Sequence, residues 1–147
     1  MKNEFMSRAI TLSIESVYKG GGPFGSLIVK DNKIISEGFN QVTSTNDPTA
    51  HGEIVAIRNS CKILNSFSLK GCDLYTSCEP CPMCMSAIYW ARIDNVYYAN
   101  TRDDAKKIDF DDSLIYEQLT KSIKERKIRM TQLMRNEALK AFELWDK

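Results

Sequence analysis

Apolar side chains recur at Met6, Ile10, Ile14 and Val17, with Phe5, Ala9 and Leu12 beside them, which is one face of a helix over residues 3–18. Gly20-Gly21-Gly22-Pro23 stops that helix and turns the chain. Phe24 to Val29 reads as a buried strand, Asp31-Asn32 as a turn, and Ile34 to Phe39 as the second strand of a hairpin. Gly25 within the first strand marks either a close backbone approach or a bend. A polar loop over 40–48 leads to a helix from near Thr49 to about Leu64, with Ile54, Ile57, Cys61 and Leu64 on one face. Asp73 to Ser77 alternates as a third strand. Pro82 suits the first turn of a helix to about Ala91, and Val96 to Ala99 makes a fourth strand.

Beyond residue 100 the pattern is weaker. Residues 103–107 read as a loop or short helix, and Phe110 to Tyr116 opens another helix. Ile128 to Leu133 alternates as a fifth strand, and 136–145 forms a terminal helix with Leu139, Phe142 and Trp145 in register. Strands alternating with helices predict an α/β fold of three layers, α/β/α, with a mixed five-stranded sheet covered on both faces. The 147 residues suffice for a single domain, 1–147, with its own core.

Composition narrows the function classes. A formal charge of +1 argues against a strongly basic surface, so nucleic acid is an unfavoured partner. The run Lys121, Lys124, Arg126, Lys127 and Arg129 reads as a solvated face. The first residues lack the apolar run of a signal peptide, and no stretch approaches eighteen apolar residues, which together predict a cytoplasmic protein with no membrane partner. The cysteine count, five, is odd. Cys61 and Cys72 read as buried thiols in a reducing compartment.

The chemistry gathers in two stretches, Thr49-Ala-His51-Gly-Glu53 and Thr76-Ser-Cys-Glu-Pro-Cys-Pro-Met-Cys84. Cys81 and Cys84 have a C-x-x-C spacing that lets two thiolates reach one metal, and His51 is the only histidine in the chain. Three protein ligands leave a fourth position open, as in catalytic zinc sites, whereas structural sites are closed by four. Cys78, again C-x-x-C to Cys81, would close the site if it were a ligand. A thioredoxin-like redox pair is the other reading of the motif, but it gives the H-x-E segment no task. Soft sulfur ligands favour zinc over other metals. Both ligand groups fall at predicted helix starts, where the partial positive charge favours thiolates. Zinc there would bring the pKa of a bound water down to about 7. Glu53 reads either as a proton carrier for that water, if it lies beside the metal without binding it, or as an acidic residue that caps or solvates the first turn of its helix.

H-x-E followed by P-C-x-x-C resembles the zinc deaminase signature. Gly22-Pro-Phe-Gly25, Asn46-Asp-Pro-Thr-Ala-His51, Tyr75 through Cys84, Ala87-Ile-Tyr-Trp-Ala-Arg92 and Phe110-Asp-Asp-Ser113 are similar to the bacterial guanine deaminases of the cytidine deaminase-like fold. The similarity spans about residues 5 to 118. It implies one Zn²⁺ per subunit on His51, Cys81 and Cys84, with Glu53 as proton shuttle. It also implies Asn40 hydrogen-bonded to the base, Phe24 and Trp90 packed against it, and Asp112 on its polar edge. The implied reaction is attack of zinc-bound hydroxide on C2 of guanine, giving xanthine and ammonia, in a homodimer with C-terminal exchange. The metal motif is shared with tRNA adenosine deaminases. Guanosine and aminotriazines such as ammeline are competing substrates, and a non-catalytic zinc module is the reading from another class. The sequence departs from the family at Gly52, where alanine is usual, and in its shorter C-terminal stretch, where Trp145 is the aromatic available to act as a lid.

Overall fold

The computed structural model describes residues 1–145. They divide into two compact units, the first running from Met1 to Asp112 and the second beginning at Ser113.

In the first unit, α1 (Lys2–Tyr18) precedes the hairpin of β1 (Gly25–Lys30) and β2 (Lys33–Phe39). A one-turn helix α2 (Val42–Thr45), absent from the sequence expectation, sits in the polar loop before α3 (Gly52–Ile63). Then follow β3 (Cys72–Cys78), α4 (Pro82–Ala91), β4 (Asn95–Asn100) and α5 (Arg102–Lys106). The strand order is β2-β1-β3-β4; β1 is antiparallel to both its neighbours, while β3 and β4 are parallel.

Alternation along the strands sorts the core into two layers. Ile28 and Leu74 face one side, where they join Ala56 of α3, Ile88 and Ala91 of α4, and Leu69 and Cys72. Leu27, Val29 and Tyr75 face the other, against Ala9 and Leu12 of α1 with Phe5, Met6 and Tyr97 at the margin. The sheet is thus covered on both faces, and the three-layer expectation stands. Close approach on each face is bought with a missing side chain. A Cβ on Gly25 would lie 2.5 Å from the Ala9 carbonyl oxygen and 2.5 Å from the Ser13 nitrogen of α1. A Cβ on Gly38 would lie 2.3 Å from the Gly52 carbonyl oxygen and 2.6 Å from the Ala56 nitrogen of α3. Of the two readings of Gly25, close approach is the correct one.

The second unit holds α6 (Ser113–Thr120), a 3₁₀ turn at Ile123–Glu125 and α7 (Arg135–Leu144). The sheet has four strands among the described residues, so the expected fifth strand over 128–133 is corrected: that stretch is neither helix nor strand. A strand needs a partner ladder, and here the local polar groups are taken differently. Lys127 N–H donates to the Gln118 side chain at 2.6 Å, and Arg126 donates to the Lys121 carbonyl at 3.3 Å. No residue of this unit is buried among those described.

Candidate active site

The loop before α3 is held by its own polar side chains. Asp47 accepts from Thr49 N–H at 2.8 Å and from its hydroxyl at 2.6 Å, and Arg58 reaches back from α3 to the second Asp47 oxygen at 3.3 Å. His51 N–H then donates to the Thr49 carbonyl, and Gln41 N–H to that of Ala50. These bonds deliver His51 to the N-cap of α3 in an extended conformation, with Glu53 in the first turn. Cys81 occupies the same position on α4, extended, with Pro82 as the first helical residue. His51 makes no side-chain bond to its own helix, while Cys81 Sγ meets Cys84 in the first turn of α4. The two N-cap side chains are turned toward each other.

His51 Nδ1 lies 3.6 Å from Cys81 Sγ and 3.5 Å from Cys84 Sγ, and all three ligand atoms fall within 4.8 Å of one another. Zinc bonds of about 2.3 Å to sulfur and 2.0–2.1 Å to nitrogen, at tetrahedral angles, require a nitrogen–sulfur separation of roughly 3.5 Å. The three residues therefore fit a zinc ion. Cys78 does not join them: its thiol is directed at the Thr101 carbonyl at 3.7 Å, and burial pushes it up to about 11. Three ligands, the count of an open site, is what the geometry supplies.

Electrostatics in this cluster follow from contact. The Cys84 S–H beside it, with His51, draws Cys81 down to about 4. Cys84 is pushed up, because it shares its proton with Cys81 and is buried. His51 is raised by its bond to Cys81. Metal binding would replace the shared proton and leave both sulfurs as thiolates. Glu53 is 6% exposed. Burial raises its carboxyl above the usual range, and the two oxygens face different groups: Oε2 lies 3.5 Å from Cys84 Sγ, and Oε1 lies 3.5 Å from the Thr76 hydroxyl.

The remaining anticipated residues divide. Asn40 is buried at the end of β2; its N–H donates to the Phe24 carbonyl and its Oδ1 accepts from Val42 N–H at 3.2 Å, leaving the amide NH₂ for another partner. Phe24 meets Phe110 edge to face with centroids 4.9 Å apart. Asp112 is paired with Arg102 at 3.7 Å; burial raises its carboxyl, and it feels the charge of Cys81. Trp90 is the exception. Its residue is 80% exposed, on a surface concavity shared with Ser86, Tyr89 and Arg92, so within this chain it walls no enclosed pocket. Its place at the last turn of α4, rather than the first, turns it away from the ligand end.

Sequence reasoning missed Ser26, Thr76 and Glu79. Thr76 and Ser26 are directly paired across β1 and β3, and both lie on the α3 face by the same alternation that places Ile28 and Leu74 there. Glu79 accepts from Arg102 N–H at 2.9 Å and so ties the cysteine loop to the start of α5. Strand alternation could have found the first two, but only once the pairing partner of β1 was known.

Comparison with known proteins agrees with this geometry. Residues 1–100 match the family described as the cytidine and deoxycytidylate deaminase zinc-binding region. The guanine deaminase of Bacillus subtilis is 54% identical over 142 residues, 96% of this chain and 91% of that protein. An X-ray structure of guanine deaminase from the same organism superposes with a TM-score of 0.95 at 53% identity, covering 97% of this chain and 92% of the other. A tRNA-specific adenosine deaminase of Aquifex aeolicus is 41% identical, but over 67% of this chain and 65% of its own length. The chain belongs to the cytidine and deoxycytidylate deaminase zinc-binding family, on the branch that holds the Bacillus subtilis guanine deaminase.

Proposed function

We propose that the protein hydrolyses guanine at C2 to xanthine and ammonia, as one zinc-dependent catalytic domain. The observation that carries this reading is a buried carboxylate, Glu53, set against a three-ligand His51–Cys81–Cys84 cluster in a chain so close to a guanine deaminase. Zinc held by His51, Cys81 and Cys84 would supply a water acidified to near neutrality as the nucleophile. Everything else is the work of the chain. Glu53 takes one proton from the water and passes it to the ring nitrogen beside C2, then takes the second from the hydroxyl now on C2 and gives it to the departing amine, so one water enters and one ammonia leaves. Burial helps by raising its basicity toward the working pH. The Asn40 amide and the Asp112 carboxyl read the polar edge of the base, and Phe24 supplies a flat apolar wall. Trp90, exposed as it is, belongs with the outer surface that a second subunit would cover.

The homodimer belongs to the same proposal. α6 and the stretch after it form an apolar groove of about 330 Å³ lined by Leu114, Ile115, Leu119, Ile128 and Met130. Phe142, Leu144 and Trp145 are exposed as well. A second copy is the partner that would cover them, and sedimentation velocity reads whether it does. No helix among the described residues is long and apolar enough to cross a membrane, and we place the enzyme in the cytoplasm.

The test is ammonia release by zinc-loaded protein against guanine, guanosine, adenine, cytosine, cytidine and ammeline, with Glu53→Gln as control. Turnover of guanine, lost by at least about 100-fold in the control, is the expected result. Turnover confined to guanosine or ammeline would keep the chemistry and move the substrate. Silence on the whole panel with turnover of an adenosine in structured tRNA, weakening steeply with salt, would instead support the tRNA reading.

A further inference from the structure

Glu53 has two oxygens in unlike surroundings, and a proton shuttle works only if the proton lands on the one that faces the reacting groups. Oε2 faces the ligand cluster at Cys84. Oε1 points the other way, into the sheet, where the Thr76 hydroxyl donates to it at 3.5 Å. Such bonds are often long before substrate binds. Thr76 is fully buried, and so is Ser26. Ser26 donates its own hydroxyl to Thr76 Oγ1 at 2.9 Å. Its acceptor side filled by Ser26, the Thr76 hydroxyl has Glu53 Oε1 as the partner for its proton. The register makes this arrangement robust. Ser26 and Thr76 are directly opposite on antiparallel strands at the centre of the sheet, and their side chains rise on the face that carries α3.

We propose that Thr76, with Ser26 behind it, is a positioning residue for the deamination reaction: a directional hydroxyl pair that occupies Glu53 Oε1 and so reserves Oε2 for the shuttled proton. The inference rests on the catalytic reading of Glu53. In the proton transfer, the water's O–H bond breaks, an O–H bond forms at Oε2, and the Thr76 bond to Oε1 persists in both charge states. Without Thr76 the carboxyl can turn or take its proton on the buried oxygen, where it is useless to the leaving amine.

The test compares Thr76→Val, Thr76→Ser and Ser26→Ala with the parent, all zinc-loaded, by steady-state kinetics, zinc content and melting temperature. Thr76→Val keeps shape and removes only the hydroxyl. It is expected to keep its zinc and its KM within about twofold while kcat falls about 10- to 100-fold, since part of the general acid–base term is lost. Thr76→Ser is expected to restore most of that kcat. Ser26→Ala is expected to lose less, and the double variant with Thr76→Val to be no slower than Thr76→Val alone, because Ser26 acts through Thr76. A second readout needs no turnover: the slowly exchanging Thr76 hydroxyl proton, seen by NMR, is expected to shift on Glu53→Gln and to exchange faster in Ser26→Ala. A parent inactive on the whole substrate panel, with that proton still coupled to Glu53, would sink the catalytic reading and leave the hydroxyl pair standing. An active parent whose Thr76→Val variant retains kcat within twofold, or whose Thr76→Ser variant is as slow as Thr76→Val, would overturn the pair.

Discussion

Gly38→Ala tests how tightly the fold controls the site. The added methyl would lie 2.3 Å from the Gly52 carbonyl oxygen and 2.6 Å from the Ala56 nitrogen, where ordinary contact begins at 3.4 Å. Both neighbours are backbone of α3, so no rotamer change relieves the clash. β2 and α3 must separate by about 1 Å, at an overpacking cost of about 3 kcal/mol. For a chain of this size that is a fall in melting temperature of about 10 °C. The displaced segment is the first turn of α3, which carries His51 and Glu53, so zinc affinity should fall with stability. Gly52→Ala is the control from the same contact. Its Cβ would meet Ser26 Oγ at 3.3 Å and the Gly38 carbonyl oxygen at 3.4 Å, so Ser26 need give by only a few tenths of an ångström. Helix propensity offsets the crowding by up to about 1 kcal/mol, less near a helix end. Thermal melts and a zinc competition titration on both variants provide the measurement. Should Gly38→Ala cost less than about 1 kcal/mol with zinc affinity unchanged, the packing argument fails.

Cysteine substitutions separate ligand from bystander. Cys81→Ser and Cys84→Ser are expected to lose stoichiometric zinc by elemental analysis, whereas Cys78→Ser, its thiol turned to Thr101, is expected to keep it. The Arg8–Glu37 pair makes two bonds, at 2.6 and 2.8 Å, between α1 and β2. Arg8 holds the Glu37 carboxyl below its ordinary value, so the stabilisation is full above the unfolded-state pKa of about 4.3 and disappears as pH falls through the folded one. Arg8→Gln is expected to cost about 1 kcal/mol at pH 7, after discounting for solvent screening of a pair about one-third exposed, and nothing near pH 2. Urea melts at both pH values check the difference.

The main helices and the four strands of the first unit were legible because each carries its own period, whereas the one-turn α2 is too short to carry one. α4 has the predicted bounds, Pro82 to Ala91, set by a proline at its start and an Arg92 in the left-handed conformation after its end. The ligands were legible because chemistry demands their types and spacing. Trp90 marks the limit of such reading: the sequence names its helix, but only the structure shows it 80% exposed at the last turn. The strand expected over 128–133 failed for a related reason. Alternation at Ile128 and Met130 describes a chain that could pair, and pairing depends on a neighbour that no local pattern specifies. Ser26 and Thr76 are ordinary strand residues until the register sets them opposite each other.

His51 and Cys81 each stand at the opening of a helix, in the N-cap position. This has a consequence for the charge tally of the loaded site. Two thiolates cancel a divalent zinc, which leaves the single negative charge of Glu53. Each helix opening contributes about half a positive charge, and the two together offset that remainder. The metal, its ligands, the carboxylate and the two helix ends thus sum to nearly zero. An uncharged planar base then binds at a centre of small net charge, and its capture should depend little on the salt around it.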